Sequence, residues 1–169
     1  YDYCVQALGC TAQEATKAEG ALLPNIAESI TRAQAEERCS WLRSRLDLSD
    51  AELKKVVLWS PTFLSKSVED TLAPKLEWLQ TRLDLDDAGL RKMVLALPAL
   101  LGYSVQDNME PKLAFFEEEL GLSPSEVRSS IISAPTRLCY SLKTRYRPRL
   151  EVCRAVGADP ANILNTAAA

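Results

Sequence analysis

Proline recurs in this chain at a fixed interval: Pro61, Pro98 and Pro135 stand 37 residues apart, and so do Pro74, Pro111 and Pro148. A fixed period of this length marks a repeat architecture, in which each unit buries its apolar face only against its neighbours. Other columns keep the same register. Leu46, Leu83 and Leu120 open three units, Trp41, Trp78, Phe115 and Val152 form a second column, and Leu76, Leu113 and Leu150 a third. Lys75, Lys112 and Arg149 make a basic column that Arg38 extends backwards. These columns predict an all-α fold: one right- or left-handed solenoid of about four stacked helix–turn–helix units, 8–45, 46–82, 83–119 and 120–155. Residues 1–7 read as the tail of a preceding unit and 156–169 as the start of a terminal one, so the chain is expected to begin partway through a unit.

Each unit carries signals for two helices. Thr11 with Glu14, Ser49 with Glu52 and Ser123 with Glu126 fit the capping box, which satisfies orphan N–H groups at a helix start. Pro124 and Pro160 stand at the first helical position, where a missing N–H costs nothing. Leu53, Val56, Val57 and Ser60 then follow helical spacing, with Leu90, Met93, Val94 and Leu97 and then Val127, Ser130, Ile131 and Ala134 as counterparts. The column prolines end this helix, because the residue before proline is driven out of the α region. After a short turn, Ser67, Ser104 and Ser141 cap a second helix, which its internal proline is expected to kink by removing a backbone bond. Its stripe is Leu72, Leu76, Leu79 and Leu83 in one unit and Met109, Leu113, Phe116 and Leu120 in the next.

Composition narrows the function classes. At 169 residues, 47% of them hydrophobic, the chain can bury a real core, and no apolar run approaches the roughly 20 residues that span a bilayer. The absence of histidine excludes Ser–His and Cys–His catalysis and any His-containing zinc site. The five cysteines include no Cys-x-x-Cys pair. Register places Cys4, Cys10, Cys39 and Cys153 in apolar columns, where buried thiols act as small hydrophobes, and leaves Cys139 as a partly exposed thiol. Trp41, Trp78 and Phe115 likewise read as core rather than as base-stacking platforms. The acidic stretch 84–87 lacks the ligand spacing of a calcium loop, and Asp86 is expected to cap a helix. The chain therefore reads as non-catalytic, with no cofactor, metal or small-molecule substrate.

Three segments, LDLSDAELKKVVLWSPTFLSKSVEDTLAPKLEWL (46–79), LDLDDAGLRKMVLALPALLGYSVQDNMEPKLAFF (83–116) and LGLSPSEVRSSIISAPTRLCYSLKTRYRPRLEVC (120–153), carry a leucine-x-leucine…Pro-x-x-Leu…Pro-[Lys/Arg]-Leu pattern. That pattern resembles the repeat of the mitochondrial transcription termination factor (mTERF) family. The resemblance implies a curved solenoid of helix pairs with a short turn. It further implies residence in a mitochondrion or chloroplast, in a mature form without a visible transit peptide, and binding of organellar DNA or RNA along a basic concave face in gene expression.

Charge does not repeat. Residues 83–119 set three cations against eight carboxylates, whereas 120–155 carry Arg128, Arg137, Lys143, Arg145, Arg147, Arg149 and Arg154 against Glu126 and Glu151 alone. Such asymmetry points to partners or neighbouring surfaces of opposite sign. The basic unit, with Lys112 and Lys75 from the basic column, is the candidate binding set. Contact with phosphates and docking on an acidic protein stay open, the second making the chain a scaffold subunit of a large organellar complex such as a ribosome, respiratory complex or photosystem. A plain solvated face stays open too, and the recurring column is equally readable as architecture. Overall net charge, −3, argues against indiscriminate nucleic-acid binding.

Overall fold

The computed structural model describes residue 4, residues 6–22 and residues 30–164. Pro24, most of the 1–7 tail and the alanine-rich end from Thr166 lie outside them. All regular structure among the described residues is helical. The chain divides into two compact units, residues 1–102 and 103–169, a boundary that falls inside the 83–119 sequence repeat.

The first unit holds α1 (Ala12–Gly20), α2 (Arg32–Leu46), α3 (Asp50–Trp59), α4 (Ala73–Leu83) and α5 (Asp87–Ala96). The second holds α6 (Glu110–Glu118), α7 (Pro124–Ser133) and α8 (Arg147–Ala155). Local chemistry sets these starts. The boxes at Thr11, Ser49 and Ser123 form in both directions, Asp86 accepts from Gly89 N–H, and α2 adds a box from Thr31 and Gln34. Each such cap stabilises its helix by about 1 kcal/mol. The prolines at 61, 98 and 135 open 3₁₀ turns, Pro61–Ser65, Pro98–Leu101 and Pro135–Cys139.

The second proline column behaves differently from expectation. Each of these prolines is preceded by a π-helical turn, Val68–Leu72, Val105–Met109 and Leu142–Tyr146, and falls at the start of the α-helix that follows. Leu72 N–H donates to Ser67 O, Met109 to Ser104 O and Tyr146 to Ser141 O, each five residues back. The wider turn accommodates the proline ring, which in an α-helix would clash with the carbonyl four residues earlier. The helix changes pitch at this point instead of simply losing one bond.

Both units have aliphatic cores. Leu53, Val56, Val57, Leu72, Leu76 and Leu79 in the first unit are essentially inaccessible to solvent. In the second, Phe115, Phe116 and Tyr146 meet at ring-centroid distances between 5.1 and 6.1 Å, two of the contacts edge-to-face, beside Leu113, Val127 and Ile131. Buried groups of this size each contribute about 1.5–3 kcal/mol by leaving water. The aromatic column is only partly core: Trp41 and Trp78 are half-buried, and Val152 is 63% exposed. Gly121 follows α6 at φ +70°, a left-handed conformation that glycine adopts without steric cost.

Candidate functional site

The basic column is architectural at its buried members. Lys75 is 4% exposed and its Nζ donates to Leu101 O at 2.5 Å, across to the following 3₁₀ turn. Burial, with Lys66 nearby, pushes this ammonium down to about 8. In the second unit Lys112, also 4% exposed, donates to Leu138 O at 2.5 Å and to Asn108 Oδ1 at 2.7 Å. Its pKa is likewise lowered by burial, with the Cys139 thiol acting in the opposite direction. Arg38 does the same with Nε to Lys66 O at 2.7 Å. Each cation thus satisfies a turn carbonyl 26 to 28 residues further on. Lys75 and Lys112 therefore do not face solvent, and packing explains their recurrence.

The seven cations of 120–155 separate into groups. Arg137 clamps backbone: Nε and Nη2 donate to Leu164 O at 3.2 and 3.0 Å, and Nη1 donates to Ser130 O. Arg154 pairs with Glu119 at 3.0 Å, and Arg147 reaches the same carboxylate at 3.7 Å while lying 5.5 Å over the Phe115 ring. Part of the charge asymmetry between adjacent repeats is thus answered inside the molecule. These pairs are more than half exposed on the arginine side, so each is worth at most about 1 kcal/mol. Arg128 and Arg149 are half-buried, and Lys143 is exposed on the π-turn.

Arg145, on that same turn, lies over an aromatic ring. Its guanidinium carbon sits 3.5 Å from the centroid of Tyr140. Tyr140 meets Tyr146 edge-to-face at 6.2 Å, and the Tyr146 hydroxyl donates to Arg137 O at 2.7 Å. Burial raises the Tyr146 phenol well above its ordinary range. Sequence reading missed the Tyr140–Arg145 stack. Its one signal was the replacement of Asn108 by Arg145 in an otherwise polar column.

Cys4, Cys10 and Cys39 are buried, Cys153 is half-exposed and Cys139 is exposed, all as free thiols. Burial is the main reason the Cys4 and Cys10 thiols are pushed up. Cys139 lies beside Tyr103, whose hydroxyl is pushed up to about 12, by burial first and by this thiol second. Among the described residues no cluster of acidic or cysteine side chains suits a metal ion. Within them, no helix is long and apolar enough to cross a membrane.

The chain matches the mTERF family model over residues 20–164. Comparison with curated proteins returned no match. Because the family match covers most of the sequence and its helices fall where the repeat columns predict, the chain belongs to the mTERF family.

Proposed function

We propose that this protein is a non-catalytic organellar nucleic-acid-binding factor in gene expression, built as a solenoid of 37-residue repeats and contacting its target through residues 120–155. Family membership supports the class of ligand. The observation that carries the choice of surface is the π-turn Leu142–Tyr146, which places exposed Lys143 and half-exposed Arg145 ahead of half-buried Arg149 on α8. Cations on the outside of a helical turn neutralise phosphates and release condensed counterions, so binding by this route is salt-dependent. Arg147 and Arg154 are secondary contacts, since they already share Glu119. Arg137, Lys75 and Lys112 fall outside the contact set because their charges serve backbone carbonyls.

Salt-titrated fluorescence anisotropy with labelled single- and double-stranded probes tests the proposal. Three phosphate contacts give roughly a 20- to 40-fold loss of affinity between 50 and 200 mM salt. Joint replacement of Lys143, Arg145 and Arg149 by alanine is expected to remove most of that dependence. Undetectable or salt-insensitive binding, together with co-fractionation of the protein in a large organellar assembly, overturns the reading in favour of a protein scaffold.

A further inference from the structure

We propose that Tyr140 and Arg145 form a stacking position for an unpaired nucleobase, so that the basic surface selects single-stranded nucleic acid over duplex. The inference rests on the nucleic-acid reading above and adds the form of the ligand. With its carbon 3.5 Å from the Tyr140 centroid, the guanidinium covers the ring on one side while the residue stays half-exposed. Guanidinium groups are planar, delocalised and weakly hydrated, and they stack on aromatic faces as an ammonium does not. A base laid on the guanidinium extends the stack, while adjacent Lys143 meets the backbone phosphate.

The position is held before any ligand arrives. Tyr140 is fixed edge-on by Tyr146, which is 2% exposed and tied through its hydroxyl to Arg137 O. Arg145 is therefore held by a ring that is itself held, and less side-chain freedom is lost on binding than for an unsupported arginine.

The repeat supplies an internal control. Tyr103 stands 37 residues before Tyr140, and its ring also carries a cation, Lys112 Nζ at 5.5 Å. There the cation is buried and bonded to Leu138 O, and Asn108, in the register position of Arg145, accepts from that same lysine at 2.7 Å. The cation on the earlier tyrosine is thus built into the packing. Only the later one presents a planar cation at the surface.

Anisotropy with oligo(U), oligo(dT) and a short DNA duplex, on the full chain, tests the proposal with Arg145→Lys, Tyr140→Ala, Tyr140→Phe and Lys143→Ala. Stacking on a single base gives between roughly 5- and 150-fold in affinity. Arg145→Lys keeps the charge and loses the plane, so single-strand affinity is expected to fall at least about 5-fold while duplex affinity stays within about 2-fold. Tyr140→Ala is expected to reproduce that loss and Tyr140→Phe to restore wild-type binding, which separates stacking from misfolding. Oligo(U) against oligo(dT) distinguishes RNA from DNA as the source of the single strand. If Arg145→Lys binds single strands as wild type does while Lys143→Ala weakens all probes, the stacking inference falls and the nucleic-acid reading stands. If no probe binds, both fall.

Discussion

Tyr103 and Tyr140 occupy the same register position, yet the cations that meet their rings belong to different worlds. Lys112 reaches Tyr103 from inside the packing, with its ammonium on two oxygen acceptors and 4% of the residue exposed. Arg145 reaches Tyr140 from a surface turn and lies over the ring at 3.5 Å. One repeat frame therefore carries a structural cation and a presented one, separated by what each nitrogen can bond to. Desolvating an ammonium is costly, so a buried lysine persists only where carbonyls replace its water. A guanidinium is weakly hydrated and stacks on an aromatic face, so it can be displayed on a ring at the surface.

The largest expected effect comes from breaking the buried member. Lys112→Ala removes the donor to Leu138 O and Asn108 Oδ1 and leaves a hole, costing about 3 kcal/mol in urea unfolding followed by circular dichroism. Arg145→Ala is expected to cost no more than about 1 kcal/mol in the same assay, the range of an exposed cation–π contact. Equal losses for the two variants would erase the contrast.

A pH series sharpens it in the first unit. Lys75 is held at about 8 in the folded protein against an ordinary value of 10.5, so the unfolded chain binds the extra proton between those values. Folding stability attributable to Lys75 therefore rises as pH climbs from 8 to 10.5, and the full cost of burying the charge is present below 8. The Tyr103 and Tyr146 phenols, whose values are raised, act in the opposite sense above pH 10. The comparison is for that reason wild type minus Lys75→Met, with an expected relative gain of about 2 kcal/mol for wild type across the window. A flat difference would place the ammonium in water rather than on Leu101 O.

The smallest effects separate support from display. Tyr146→Phe removes the hydroxyl on Arg137 O and is expected to cost about 1 kcal/mol. Gly121→Ala, at φ +70°, is expected to cost a similar or smaller amount through backbone strain alone, with oligonucleotide binding unchanged. Tyr146→Phe keeps the ring beside Tyr140, so binding is expected to fall only slightly; a large loss would move the hydroxyl from support into the contact itself.

Sequence alone determined what is local and periodic. The boxes at Ser49–Glu52 and Ser123–Glu126 close within one turn, so spacing identifies them without any fold. The apolar columns that became Leu76, Leu79 and Leu113 in the cores recur at one interval, and that repetition is written in the chain. The substitution of a π-turn for a kinked α-helix ahead of Pro74, Pro111 and Pro148 was not legible, because relieving a proline is a choice among backbone pitches of similar energy. Tertiary structure decided which cations are buried and which are paired. Lys75 and Lys112 bond carbonyls 26 residues away, and Arg154 meets Glu119 35 residues back. Tyr140 and Arg145 are five apart, outside the three- and four-residue spacings that place neighbours on an α-helix. A charge counted in sequence has no address until the fold supplies its acceptor, and here the fold assigned some cations to carbonyls, some to Glu119, and one to the face of a tyrosine.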